Sequence, residues 1–510
     1  MQNGTRLAAV DLGSNSFRLE IGRLDHGHID RTEYLKETVR QGNGLDENGN
    51  LTPEAMQRGW DCLARFGERL AGFRKSEVRA VATQTLREAR NRDEFLARAR
   101  KVLGFQIDVI SGREEARLIY QGVAHLLPHS DTSATERRLV VDIGGRSTEL
   151  ILGQAFDAQV MESYRVGSVA WSMKYFPSGQ LSARAFQMAE IAAKAVLDEA
   201  LNTYRSDRWD VAYGSSGTVG AVGDVLTAAG WPPGQLTRDG LDWLLDKLVK
   251  AQHADRLRLD GMKDDRRAVI GGGVSVLRAV FDLLGIEKMQ AADGALRHGV
   301  LYDLMQREDG QTDLRSATVQ RLATKFQVDA GQAQRVARLA GQFFQQLHAG
   351  QPDEDAERAG RKLHWAAQLH EIGCQISHSY YHRHGAYILD NAEAPGFALP
   401  ELHRLSLLVL GHRGKLRKLE ADFADALFVR QLLCLRLAVL LCHARRDPDV
   451  RGLQLVQDHA GAQTFTLRCR PAWAEAFPQS VYLLREEVAA WQKTPWDLRL
   501  EGCGPAPEGD

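Results

Sequence analysis

An α/β fold of two similar lobes followed by a helical domain is what the sequence predicts, and three observations predict it. A stretch that carries an Asp into a Gly/Ser turn occurs twice, at 10–22 and at 141–153, agreeing at Val, Asp, Gly, Ser, Leu and the closing Gly. Each copy opens a run in which strand-like and helix-like segments alternate. From about 311 onward the strand-like segments almost vanish while helical periodicity persists.

Each copy of the repeat is a hairpin. An apolar run (7–10, 139–141) delivers Asp11 or Asp142 to a small, polar turn, and a β-rich run (17–21, 148–152) leads away. Small residues in such a turn let backbone N–H groups approach a phosphate, and a carboxylate at its mouth can hold a metal through water. A single Asp-x-Gly-x-x-Ser means little more than a tight bend. Its recurrence favours two hairpins facing each other as a phosphate clamp.

After the first hairpin, 28–40 continues as a third strand. Thr52-Pro53-Glu54 starts a helix whose apolar face runs through Met56, Trp60, Leu63, Phe66 and Leu70. A strand at 78–82, a helix at 93–103 and a strand at 105–110 follow. The order, three antiparallel strands and then helix-connected parallel ones, is that of a ribonuclease-H-like lobe. The polar segment 128–138 is the expected linker. The second lobe adds helices at 168–175 and 181–204, a strand at 209–213, a Gly-rich turn at 271–273 opening a helix at 274–284, and a strand at 288–292. The expected domains are 1–130, 131–308 and a helical domain at 309–510, with helices at 330–347, 363–372, 402–410 and 424–446.

A chain of 510 residues, 44% hydrophobic and 26% charged, suits several soluble domains. Its net charge of −1 names neither a nucleic acid nor a membrane as partner, so any polyanion site is a local concentration of cations. Six scattered cysteines argue against a disulfide framework or a zinc ribbon and fit a reducing cytosol. The polar opening, with its apolar run broken at Asp11, predicts no signal peptide and a cytoplasmic location. The apolar stretch 432–442 is short and carries Arg436, and is expected to be a buried helix.

Ser111-Gly112-Arg113-Glu114 fits a capping box, which accounts for Glu114. Glu115 has no such account: facing an interlobe cleft it could take a proton from water attacking phosphorus, and otherwise it is an exposed residue favoured by the helix dipole. Thr83–Arg87 and 214–218 end equivalent strands, where ligands bind on α/β sheets. Arg87 there reads as a bidentate phosphate contact or as a solvated arginine. In the helical domain, Leu369-His370-Glu371 lacks the upstream His and the His-Asp pair of a metal phosphohydrolase. His378, His382, Arg383, His384, Arg404, His412, Arg413, Lys415, Arg417 and Lys418 read instead as a cationic surface, or as scattered solvated charges.

Asp-Leu-Gly-Ser-Asn-Ser-Phe at 11–17, Thr-Gln-Thr-Leu-Arg at 83–87, Ile-Ser-Gly-x-Glu-Glu-Ala-Arg at 110–117, Asp-Ile-Gly-Gly-x-Ser-Thr-Glu at 142–149, Gly-x-Ser-Gly-Thr at 214–218 and Asp-Gly-Ala-Leu-Arg at 293–297 resemble the exopolyphosphatase/guanosine pentaphosphate phosphohydrolase (Ppx/GppA) family in its long bacterial form. The resemblance implies two lobes of the actin, hexokinase and chaperone-ATPase superfamily and a C-terminal all-α, degenerate HD-like domain. It implies Glu115 as general base and Glu149 as a catalytic carboxylate, with Asp11, Asp142 and Glu149 around a divalent cation, Mg²⁺ or Mn²⁺. Gly13, Ser14, Asn15, Ser16, Arg87, Gly144, Gly145, Arg146, Ser147, Thr148, Gly217 and Thr218 correspond to phosphate contacts. Arg146 departs from the family, where many members carry a third Gly; such a cation would narrow the pocket or add a contact.

The function expected first is exopolyphosphatase, releasing terminal phosphate from inorganic polyphosphate. The alternative is a guanosine pentaphosphate (pppGpp) 5′-phosphohydrolase, and a third reading, resting on Arg146, is a non-catalytic phosphate or nucleotide sensor. The large helical domain with exposed apolar helices points to a homodimer.

Overall fold

The structure, a computed structural model, describes residues 2–127, 135–307, 313–348, 354–458 and 462–503. Most of the expected linker, 128–134, lies outside them. The chain divides into two compact units, Met1–Asp313 and Leu314–Asp510.

The first unit holds both lobes. Strands β1 (Arg6–Leu12), β2 (Phe17–Asp25) and β3 (His28–Glu37) form an antiparallel meander. Helix α1 (Pro53–Arg69) starts at Thr52, whose hydroxyl accepts from the Ala55 amide, and Pro53 occupies the position where its missing N–H costs nothing. Then come β4 (Val78–Ala82), the one-turn α2 (Gln84–Glu88), α3 (Arg92–Leu103), β5 (Ile107–Val109) and α4 (Gly112–Leu126). The five-stranded sheet runs β3-β2-β1-β4-β5, with β4 parallel to β1 and β5.

The second lobe repeats the plan. It contains β6 (Arg137–Ile143), β7 (Thr148–Gln154), β8 (Asp157–Tyr164), α5 (Ser168–Tyr175), α6 (Ala183–Leu197), β9 (Val211–Ser215), α7 (Ser216–Ala228), β10 (Gln235–Thr237), α8 (Arg238–Ala251), α9 (Asp264–Arg267), α10 (Ile270–Leu284) and β11 (Lys288–Ala291). Its six-stranded sheet runs β10-β11-β9-β6-β7-β8. The central strands β1, β4, β6 and β9 are buried along most of their length, so each ends by delivering polar residues to one edge of an apolar sheet.

One feature differs from the sequence expectation. Gly271–Gly273 are not a turn but lie inside α10. A side chain at Gly272 would stand 2.4 Å from the Ser168 carbonyl oxygen, so small residues here let α10 and α5 touch. The last helix of the lobe region, α11 (Leu296–Arg307), packs back on α4 of the first lobe. There Gly299 would place a Cβ 1.7 Å from the Leu118 carbonyl oxygen. On the same face Asp303 takes both Arg79 and Arg117 of the first lobe, all three buried, and Arg117 also holds Glu114 at 2.8 Å. Glu114 therefore supplies an ion-pair partner in addition to the Ser111 cap on its amide.

The second unit is mainly helical: α12 (Leu314–Lys325), α13 (Ala330–Leu347), α14 (Glu354–Gln368), α15 (Tyr381–Asn391), α16 (Leu399–Gly411), α17 (Ala426–Leu441), α18 (Pro471–Ala476) and α19 (Pro478–Trp491). It also carries a small sheet, β12 (Leu453–Gln457), β13 (Thr464–Cys469) and β14 (Asp497–Glu501). The parallel pairing of β13 with β14 brings their ends together, and Cys469 and Cys503 form a disulfide there, which the scattered spacing did not announce. Buried α17 is the centre of the core. Its Arg436 pairs with Glu487 at 2.5 and 2.7 Å. No helix among the described residues is long and apolar enough to cross a membrane.

The expected cationic surface is only partly one. His382 and His412 are buried, as is His370; the Nδ1 atoms of His370 and His412 lie 2.7 and 2.6 Å from the Ala367 and Val409 carbonyl oxygens. Burial, then neighbouring cations, pushes His382 down to about 4 and His412 well below the usual imidazole range. These imidazoles are uncharged core groups. Arg404 is taken by Asp425, while Arg383, Arg413, Lys415 and Arg417 remain exposed.

Candidate active site

Both hairpin turns border one cavity of about 290 Å³. Gly13, Ser14, Asn15 and Ser16 line it from the β1–β2 turn, Gly144, Gly145 and Ser147 from the β6–β7 turn, and Gly217 and Thr218 from the start of α7. Hydroxyls fasten these turns to the sheets. Thr85 donates to Ser14 Oγ at 2.8 Å, while Ser216 and Thr218 donate to the Ile143 carbonyl at 2.8 and 2.9 Å. With side chains this small and already fixed, main-chain N–H groups are left as the natural partners for an anion.

Carboxylates gather at the same place. Asp11 and Asp142 come from the ends of β1 and β6, Glu149 from the start of β7 and Glu115 from the first turn of α4; all are buried. Asp11 takes Arg18 at 3.0 Å through one oxygen, and its other oxygen is buried without a partner. Glu149 accepts from Ser163 at 2.7 Å, and its Oε2 is likewise buried without a partner. Glu115 accepts from Arg87 Nη1 at 2.6 Å.

Crowding shows in the proton affinities. Burial, then Glu115 and Asp11 against Ser215 and Arg18, pushes Asp142 up to about 7. Burial, then Glu115 and Asp142, holds Glu149 well above the carboxylate range. Burial raises Glu115 too, against the pull of Arg87. Among the described residues no three His, Cys, Asp or Glu groups stand ready to grip an ion directly. The two orphaned oxygens, in a cluster whose charges repel, nevertheless fit a divalent cation held partly through water.

Asp11, Asp142 and Glu115 line the cavity; Glu149, Arg87, Arg146 and Thr148 do not. Three expected phosphate contacts have protein partners in this structure. Arg87 is spent on Glu115, on Gln84 and on the Ile110 carbonyl. Thr148 is fully buried and donates to the Val166 carbonyl at 2.6 Å, so it closes its own sheet. Arg146 turns to the first lobe, with Nε 2.9 Å from Glu88 and Nη1 3.1 Å from the Gly42 carbonyl oxygen.

The cations that do line the cavity are Arg18, Lys36, Arg266 and Arg297. Lys36 pairs with Asp265 at 2.7 Å, and Arg297 pairs with Glu20 and lies over the Tyr34 ring. Arg266 is the least neutralised, its closest recorded carboxylate being Asp265 at 4.0 Å, and burial together with Arg18 depresses its proton affinity. Its guanidinium fills the space beside Gly217, where a Cβ would meet it at 2.1 Å. Arg18 was readable inside the repeat and Arg297 inside its motif; Arg266, in a plain Asp-Asp-Arg-Arg run, carried no pattern.

Two ribonuclease-H-like lobes with paired phosphate turns and a carboxylate cluster define a phosphate-handling protein of the actin-like ATPase fold. The profile of the Ppx/GppA phosphatase family matches residues 21–308, that of Ppx/GppA phosphatase domain III matches 314–488, and the chain belongs to this family. It is 38% identical to a Vibrio cholerae protein named guanosine-5′-triphosphate,3′-diphosphate pyrophosphatase, over 97% of this chain and 98% of that protein. An Aeromonas hydrophila protein of the same name is also 38% identical, over 98% and 99%. Among solved structures, an exopolyphosphatase from Cytophaga hutchinsonii is 25% identical with a TM-score of 0.52, covering 59% of this chain and 98% of that one.

Proposed function

We propose that the protein is a guanosine pentaphosphate 5′-phosphohydrolase, the reading placed second on sequence alone. The observation that carries it is similarity over nearly the whole chain to proteins named for that substrate, whereas exopolyphosphatase is supported by the family as a whole and by a relative covering 59% of the chain. The lone ground for a non-catalytic sensor was a long cation intruding on the second turn, and Arg146 does not line the cavity.

The chemistry follows from the residues. Backbone N–H groups of the two turns bind the terminal phosphate, and Arg18 and Arg266 pair with its oxygens. Water adds to the terminal phosphorus, the bond from that phosphorus to the bridging oxygen breaks, and orthophosphate leaves. Glu115 takes the proton of the attacking water; burial has already raised its basicity. Asp11, Asp142 and Glu149 would hold Mg²⁺, which when bound supplies positive charge to the transferring phosphoryl group.

The test is direct competition between pppGpp and polyphosphate on the purified protein, followed by phosphate release. The expected outcome is a higher kcat/KM for pppGpp, lowered roughly 10- to 100-fold in Arg266→Ala, the worth of a charged hydrogen bond. A preference for polyphosphate would overturn the substrate assignment.

A further inference from the structure

The anomalous Arg146 ends a chain of contacts whose other end is Glu115. Arg146 Nε donates to Glu88 Oε2 at 2.9 Å, and Gln84 Nε2 donates to Glu88 Oε1 at 2.7 Å. Gln84 Oε1 in turn accepts from Arg87 Nε at 3.0 Å and Nη2 at 2.6 Å, and Arg87 Nη1 donates to Glu115 Oε2 at 2.6 Å. Every link has its donor and acceptor matched, and both ends of the Gln84 amide are in use, so its orientation is fixed by its neighbours.

Gln84, Arg87 and Glu88 share one face of α2, at positions i, i+3 and i+4. That helix has only five residues, too few to hold itself, so its placement depends on what ties it down. Arg146 is a tie from the opposite lobe: besides Glu88 on α2 it reaches the Gly42 carbonyl at 3.1 Å, bridging two separate segments of the first lobe from the β6–β7 turn of the second. The contact joins the two lobes beside the cavity.

We propose that Arg146 is a positioning residue for Glu115, acting across the lobes through Glu88, Gln84 and Arg87. The cross-lobe contact then holds the general base in place beside the two phosphate turns. The inference rests on the hydrolytic reading above, in which Glu115 is the base.

The experiment is steady-state hydrolysis of pppGpp by Arg146→Ala, Glu88→Gln, their double variant, Arg146→Lys and Glu115→Gln. A positioning role predicts a kcat loss of roughly 10-fold in Arg146→Ala, in line with a small misplacement of a reacting group, at unchanged KM. It predicts no further loss in the double variant, because both substitutions cut the same chain, and partial recovery in Arg146→Lys, which keeps one contact to Glu88. If Arg146→Ala is poorly folded by its melting curve, Glu88→Gln alone carries the test with the same expected kcat loss. A raised KM at unchanged kcat would make Arg146 a substrate contact and overturn the proposal, as would losses that multiply in the double variant. Wild-type kcat in Arg146→Ala beside an inactive Glu115→Gln removes the relay alone. Full activity in Glu115→Gln removes the assigned base, and the relay with it.

Discussion

The two hairpins are built on one register and carry opposite charges at the same place. In the first, Asp11 stands directly across from Arg18; in the second, Asp142 stands directly across from Glu149. A carboxylate facing a guanidinium across a sheet is self-neutralising, and the first hairpin can meet an incoming phosphate with a cation in hand. Two carboxylates facing each other repel, and the second hairpin stores an unfavourable interaction that a divalent cation would relieve. A duplicated scaffold thus carries an ion pair in one copy and a carboxylate pair at the same place in the other.

The contrast makes its largest prediction at the second hairpin. Glu149→Gln should cost kcat on the order of 10²- to 10⁴-fold, as losing a catalytic carboxylate does, while raising the melting temperature of the metal-free protein by about 2 °C. Arg18→Gln should act more weakly on turnover, lowering kcat/KM by about 10-fold, and should lower the melting temperature because Asp11 is left buried without its partner. Kinetics and thermal melts of both variants check this, and melting shifts of the same sign would end the distinction.

A smaller effect sharpens it through pH. Asp142 binds its proton more tightly folded, with a value of about 7, than unfolded, near the ordinary 3.8. Its contribution to stability is therefore complete below about 4 and disappears as pH rises through about 7. Melts of metal-free protein should show this decline, and Mg²⁺ at pH 8 should raise the melting temperature of the wild type but not of Glu149→Gln. A decline unaltered by Mg²⁺ would leave the second hairpin without its cation.

Much of this was legible in the chain. The doubled Asp-to-turn pattern located both hairpins, and the helix beginning at Thr52-Pro53 reads directly from its cap. Glu115 stood out because no local role explained it. What the sequence could not convey were distances set by long-range packing. Arg87 and Arg146 look alike as cations of polar segments, and only packing within the first lobe and between the lobes reveals that their charges are spent on Glu115 and Glu88. The same holds in reverse for Arg266, ordinary in sequence and exceptional for the lack of a close carboxylate. His412 reads as a surface charge until the fold buries it among His370, Tyr381 and His382. The triple glycine at 271–273 reads as a turn because a helix that tolerates glycine for the sake of a close neighbour has no local signature.

Synthesis order gives the return of α11 onto α4 a further meaning. Arg79 and Arg117, in the interior of the first lobe, have Glu114 beside them at 3.6 and 2.8 Å, and Asp303 of α11 adds a second buried carboxylate that takes both, while the backbone around Ala295 and Gly299 packs against α4 at Gly122. A nascent chain emerging from the ribosome therefore lacks, until the second lobe has been made, the carboxylate that bridges these two arginines. The first lobe thus takes part of its interior from residues drawn from the far end of its twin.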